Sequence, residues 1–426
     1  MLDSDALSQP AGALWRRLWR DPAAWSTTAD TFAILIAVAL PWSTSLVAIF
    51  ATALLVSMTP FLDLKGFLQS LKRPICALPL VLIALAAVGM LWSDAPWGAR
   101  LYAVGPTAKL LVLPVLFYHF ERSARGMWVF VAFLVSCILL MAMSWIVAFY
   151  PAVSFKSAAN AARGIFVKNY IDQSQEFALC AVALAYPTVT LLREKRIWLA
   201  ASLIGLSLSF VVNMMFVVVS RTALVTIPIM VAVFAVLHLK WRAIMLISFA
   251  AIGLVVLAWI ASPQLQRTIE TFSSDYQLYK GKNTPTSMGL RLEYWQKSLR
   301  FFSEAPIFGR GTGSTRALFE QAAAGQVGAA ADVVGNPHNQ TLNVAVQWGV
   351  IGIVVLYAMW LVHLLLFRGD GLTAWIGLLV VVQNIFTSLF NSHIFDFHEG
   401  WMYVLGVGVA GGMVLKKNSC EARPER

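Results

Sequence analysis

Hydrophobic positions in this chain gather into long, uniform runs, and polar residues are confined to the intervals between them. At about 20 residues per membrane-crossing helix, the runs predict twelve spans: 28–43, 44–61, 75–92, 101–119, 127–150, 173–192, 197–219, 222–239, 243–261, 338–366, 372–390 and 401–415. The first two share the break at Pro41–Ser45. Runs this long exclude a transmembrane β-barrel, whose strands are short and alternate. The predicted class is an all-α polytopic membrane protein of about 12 transmembrane helices with one large helical loop. Its divisions are a leader (1–27), spans one to nine (28–261), the loop (262–337), spans ten to twelve (338–415) and a tail (416–426).

Within the loop, residues 289–303 repeat Leu292, Trp295, Leu299 and Phe302 at helical spacing, and 314–324 also read as a helix. Between them Pro306–Gly313 holds three glycines and predicts a tight turn. The alanine-rich stretch 322–331 is expected to be a flexible connector. In the leader, Leu14, Trp15, Leu18 and Trp19 fall on one helical face beside Arg16, Arg17 and Arg20, which predicts a short helix lying on the membrane surface. No cleavable signal peptide is expected, because the first apolar run follows a polar leader.

Composition agrees: 59% of residues are hydrophobic and 12% charged, against about 25% charged in soluble domains. Mean hydropathy is +0.72. The net charge of +11 does not require nucleic acid, since cytoplasmic loops collect Lys and Arg and anionic lipids attract them. With both termini cytoplasmic, the inner segments hold Lys65, Lys72, Arg73, Arg122, Arg125, Arg193, Lys195, Arg196, Lys240, Arg242, Arg368, Lys416 and Lys417. The loop 262–337 then lies on the outer side and is itself basic, which asks for an anionic ligand. Cys76, Cys137 and Cys180 lie in apolar runs, so no structural disulfide is expected.

Four places carry candidate chemistry. Arg221, between two apolar runs, either serves a ligand at the membrane edge or snorkels to headgroups. Arg291, on the first loop helix, is either functional or a solvated charge. His338 follows Asn336, read as an N-cap, and Pro337, read as the first helical residue. It would then sit in the first helical turn, where the helix dipole keeps imidazole neutral and able to accept a proton; a polar interfacial cap is the alternative. The cluster Asn391–Glu399 holds His393, Asp396 and His398 at spacings that fit no metal motif, so Asp396 is read as an orienting group and no metal is assigned. The turn Gly309–Gly313 lacks the strand and the Lys-Ser/Thr of a nucleotide loop, and its glycines are read as packing.

Taken together, VSRTAL at 219–224, Arg291-x-x-x-Trp295 with APIFGRGTGS at 305–314, and His338-Asn339-x-x-Leu342 with Gly349 and Gly352 resemble a superfamily of O-antigen ligases, O-antigen polymerases and bacterial oligosaccharyltransferases. The resemblance covers roughly residues 215–352. One position departs: Gln347 stands where many members carry an acid, and it is read as a packing or hydrogen-bonding group.

The resemblance implies a GT-C-like glycosyltransferase with a periplasmic site in the bacterial inner membrane. The implied reaction is inverting and metal-independent, and it needs no cofactor. The implied donor is a glycan on undecaprenyl pyrophosphate, and the ligase acceptor is a sugar hydroxyl of lipid A–core. Catalytic roles fall to His338 as base and to Arg221 and Arg291 as a clamp on the leaving pyrophosphate. Asn339, Arg163, Lys168, Arg300, Arg310 and Asp396 are expected to bind substrate. Membrane lipids are expected partners and nucleic acid is not. The basic loop favours a phosphate-rich acceptor, hence ligase over polymerase. A transporter is the reading from another class, disfavoured because the halves do not repeat and charge gathers at one edge.

Overall fold

The computed structural model describes residues 21–154 and 156–421, so the predicted surface helix of the leader lies outside the described residues. Among those described, the fold is built of helices and connecting turns, as expected of apolar chain that must satisfy its backbone hydrogen bonds internally. In chain order the α-helices longer than a single turn are α1 (Pro22–Ala39), α2 (Thr44–Met58), α3 (Leu64–Ser70), α4 (Pro74–Val88), α5 (Trp97–Val104), α6 (Val112–Phe120), α7 (Gly126–Phe149), α8 (Tyr170–Ala183) and α9 (Ala185–Arg193). Then come α10 (Ile197–Phe216), α11 (Arg221–His238), α12 (Trp241–Ala261), α13 (Pro263–Lys282), α14 (Ser287–Glu304), α15 (Thr315–Ala323), α16 (Gln340–Leu366), α17 (Leu372–Thr387) and α18 (Phe397–Glu421).

Every predicted span meets a helix. Among the described residues eight helices are long and apolar enough to cross, or up to nine if α3 and α4, bent by 83°, count as one. The helix α17 has only 16 residues, about 24 Å of rise against a hydrocarbon core of about 30 Å. The span predicted at 101–119 is broken by a 3-10 turn at Gly105–Leu111, where Pro106 removes a backbone donor. The break at Pro41–Ser45 separates two helices, with Ser43 capping α2 through Leu46 N (3.3 Å).

The core sits where α6, α17 and α18 meet. Glycines of α18 let the helices approach: a Cβ on Gly408 would lie 2.7 Å from Leu116 Cβ, and one on Gly412 2.6 Å from Phe120 Cβ.

The loop 262–337 is helical, as predicted, and adds α13, which the pattern did not predict. On α14 the buried residues are Gly289, Tyr294, Lys297, Ser298 and Phe301, not the predicted stripe; Leu299 is exposed. The reason is Phe319 of α15, which takes an edge contact from both Tyr294 and Phe301 and turns that face inward. The alanine-rich segment is pinned, not a loose connector. Ala329 is buried, its N–H donates to Asn283 O (2.9 Å), and Lys297 Nζ donates to Ala330 O.

Inside α16 the backbone leaves the helix at Gly349 (φ 62, ψ −154), a conformation that essentially only glycine adopts. The glycine turn splints this break. Arg310 N donates to Val346 O (2.8 Å), Gly311 N to Gln347 O (2.9 Å), and Val350 N to Pro306 O (2.8 Å). Carbonyls freed by the kink thus find partners in the 305–313 segment. Gly349→Ala is therefore expected to cost about 2 kcal/mol or more, read as a lower unfolding temperature in detergent.

Candidate active site

Three residues before α16 set the geometry. Asn339, not Asn336, is the N-cap: its Oδ1 accepts from Leu342 N (3.0 Å). His338 therefore lies just outside the helix, not in its first turn, with a left-handed backbone (φ 52). Asn336 holds that conformation by accepting His338 N–H on Oδ1 (3.0 Å), the kind of local side-chain bond that lets a non-glycine residue stay left-handed.

The imidazole is fixed from the other side. Asn391 Nδ2 donates to Asp396 Oδ2 (2.5 Å), which turns Asn391 Oδ1 toward His338 Nδ1 (2.8 Å). An amide oxygen only accepts, so Nδ1 carries the proton and Nε2 keeps its lone pair. The Tyr294 ring packs 5.9 Å from the imidazole. Burial lowers the His338 pKa from the ordinary 6.5, and the Arg291 charge lowers it further against the opposing Asn391 bond. Neutrality therefore comes mainly from desolvation and a nearby cation.

Arg291 lies one turn before Tyr294 on α14. Burial depresses its pKa, the Tyr170 phenol opposes that, and the positive charge of Arg221 adds to it. Arg221 opens α11 and donates to Thr271 Oγ1 (3.0 Å) and, at 3.4 Å, to Asp275 Oδ2, both on α13. It shares a cleft with Arg163, Tyr170 and Arg267, and Arg163 lies 4.4 Å from the Tyr170 ring centre. Arg221 thus acts on Arg291 and Arg291 on His338, which places the three residues in one region.

The remaining predicted residues divide. Asp396 reaches His338 through Asn391; burial raises its pKa to about 7 although Lys109 opposes this. Asn339 is spent on the cap and on Leu389 O (3.2 Å). Lys168 is buried against Glu176 (2.8 Å). Arg300 and Arg310 meet at Glu304 in a separate pocket with Asp94 and Gln321. Along α14 that is about 14 Å of helix from Arg291. His393 and His398 turn to different acids: His393 lies 3.8 Å from Glu399, and His398 Nδ1 lies 2.5 Å from Asp172. Burial pushes His393 down to about 3.

Sequence reasoning missed Asn391, Tyr294 and Tyr170 as site residues. Asn391 stood in a cluster already singled out, but only the fold shows it between Asp396 and His338. Gln347 does bond locally: its Oε1 accepts from Gly313 N (2.9 Å) and its Nε2 donates to Asn343 Oδ1 (2.8 Å).

Residues 204–357 match the family described as O-antigen ligase. Over that stretch the chain is similar to the O-antigen ligase family. The matched segment contains Arg221, Arg291 and His338, while Arg163, Lys168, Asn391 and Asp396 lie outside it. An uncharacterized protein of Haemophilus influenzae is 30% identical over 145 residues, covering 32% of this chain and 36% of the relative. The chain therefore aligns with little more than a third of that relative's length. The apolar helices together describe a multi-pass membrane protein, and the matched segment is similar to a family described as O-antigen ligase.

Proposed function

We propose that the protein is an O-antigen ligase. In this reading it has a GT-C-like fold, lies in the bacterial inner membrane with both termini cytoplasmic, and works at the periplasmic face. It transfers a glycan from undecaprenyl pyrophosphate to a sugar hydroxyl of lipid A–core. One observation carries the reading: an imidazole whose Nδ1 is held by Asn391 and whose Nε2 keeps its lone pair, in the field of the Arg291 guanidinium, which itself lies in the field of Arg221.

The chemistry follows. The acceptor oxygen attacks the anomeric carbon, the bond from that carbon to the pyrophosphate oxygen breaks, and the hydroxyl proton passes to His338 Nε2. Attack opposite the leaving group inverts the centre. Charge building on the pyrophosphate is met by Arg221 and Arg291, whose planar forks suit paired phosphoryl oxygens. With two arginines carrying that charge the reaction needs no metal, so transfer is expected to continue in excess chelator; loss restored by one added divalent ion would reverse this.

The deciding experiment is reconstitution with lipid-linked glycan and purified rough lipopolysaccharide. A higher-mass lipopolysaccharide is expected. Lengthened lipid-linked chains would instead make the protein a polymerase.

Asn391 is a positioning residue in this reading. Asn391→Ala is expected to lower kcat about tenfold by freeing the ring to turn, with acceptor KM little changed. An unchanged kcat would remove Asn391 from the mechanism.

A further inference from the structure

Between α5 and α6 the chain runs as a 3-10 stretch, Gly105–Leu111, opened by Gly105 and Pro106. A 3-10 helix turns about 120° per residue against about 100° in an α-helix. Four residues after Gly105, Lys109 is therefore swung about 80° from the face an unbroken helix would give it. Thr107 and Leu110 on either side are fully buried, which fixes the stretch in the bundle.

The swing brings a cation to the loop before α18. Lys109 Nζ donates to Phe395 O (3.2 Å) and to Asp396 O. A Cβ on Gly400 would strike both Lys109 Nζ and the Ile394 carbonyl. Glycine at the start of α18 thus leaves the room that the ammonium needs.

The loop so held is the one that orients the imidazole. Phe395 N and Asp396 N both donate to Ser392 O (2.8 and 2.9 Å), which makes residues 392–396 a tight turn. Neutral bonds tie that turn to α16: Asn343 Nδ2 donates to Ser392 Oγ (3.0 Å), and Ile394 N to Gln340 Oε1 (3.0 Å). Lys109 adds a charged tie from the α5–α6 break. From the turn, Asp396 Oδ2 accepts from Asn391 Nδ2 (2.5 Å), and Asn391 Oδ1 faces His338 Nδ1 (2.8 Å). Every step from Lys109 to the imidazole is a hydrogen bond or a single residue.

An amide has two edges. Turned over, Asn391 would offer its Nδ2–H to His338 Nδ1, and the ring proton would move to Nε2. An imidazole in that tautomer cannot take a proton at Nε2. The edge that Asn391 shows depends on where the Asp396 carboxylate stands, and the turn under Lys109 sets that place. The Lys109 charge also favours the ionised carboxylate, which only accepts and so calls for the Nδ2 edge.

We propose that Lys109 is a positioning residue for the base: it pins the 392–396 turn so that Asn391 shows its oxygen to His338 and the ring proton stays on Nδ1. The inference rests on the His338 reading proposed above and names the distant group that selects the working tautomer.

Solid-state nitrogen-15 NMR of the full-length, histidine-labelled protein in phospholipid bilayers reads the tautomer above pH 7. The His338 signals are assigned by their loss in His338→Ala. The wild-type ring is expected to carry its proton on Nδ1 alone. Lys109→Met, which keeps the side-chain length and removes the ammonium, is expected to give both tautomers. Gly400→Ala, which pushes the ammonium off the carbonyls and leaves every charge in place, is expected to do the same and serves should the first variant fold poorly. A single Nδ1–H tautomer in these variants would overturn the proposal. In transfer assays Lys109→Met is expected to lower kcat about tenfold, as for Asn391→Ala, with donor KM unchanged. It is expected to cost nothing further once Asn391 is alanine, because both changes remove the same support. A second tenfold loss in that background would make Lys109 a general structural group and overturn the proposal too. The NMR arm needs no glycan transfer. Mixed tautomers in the variants with no ligation by the wild type would sink the proposed function and leave the role of Lys109 standing. Ligation by the wild type with an unchanged kcat in Lys109→Met would sink the role of Lys109 alone.

Discussion

Replacing His338 with alanine is expected to lower glycan transfer by ~10²–10⁴-fold, the span general-base groups usually supply, while the protein inserts and purifies as before. The effect belongs to Nε2, because Nδ1 is occupied by Asn391. Two outcomes separate the base from a cap at the membrane interface. A cap lost should lower the unfolding temperature and raise KM, whereas a base lost should lower kcat with donor binding intact. The pH profile adds a check with a defined sign. Protonated imidazole cannot accept a proton, and the His338 pKa lies below 6.5. Transfer should rise with pH along a limb centred below 6.5 and flatten above it. His338→Ala should erase that limb from any residual activity. Wild-type activity rising only well above pH 7 would move the base to another group.

How far the sequence alone reached depends on which interactions are local. The helices were legible because bilayer length and apolar runs are one-dimensional signals, and every predicted span coincides with a helix. Their crossing status was less legible. Only coordinates reveal that α17 is 16 residues long or that α3 and α4 bend by 83°. The site was half legible. His338, Arg291 and Arg221 stand out by residue type and place, but the helix turn that the sequence pattern assigns to His338 begins two residues later, at Gln340. Desolvation and Arg291 supply the same neutrality by another route. Asn391, 53 residues from His338, carries no local pattern that would pair them. Lys168 shows the opposite failure: a basic residue in an outer loop invites a phosphate reading, and the fold spends it on Glu176. Charge visible in sequence is not charge available to a ligand.

Exchanging Arg291 or Arg221 for lysine should separate charge from geometry. Each substitution keeps one positive charge and removes the planar fork. A loss of about 10²–10³-fold in kcat is expected for either, the scale of removing one preorganised donor from a developing anion. Binding should suffer less than turnover, because the pyrophosphate gains charge only as the glycosidic bond breaks, and interactions made mainly in the transition state appear in kcat. The two arginines should differ in KM. Arg221 is prepositioned by Thr271 at 3.0 Å and by longer contacts of 3.4 Å to Asp275. Those long contacts are weak enough for a pyrophosphate to displace. Arg221→Lys frees Asp275 to repel the donor, so donor KM should rise as well as kcat fall. Asp275→Asn in that background should recover part of the KM loss and none of the kcat loss. Arg291 sits beside the base, so Arg291→Lys should also shift the acid limb of the pH profile as the nearby charge moves. Activity near wild type in both lysine variants would show that a positive charge suffices, and would leave the paired-fork account of the leaving group without support.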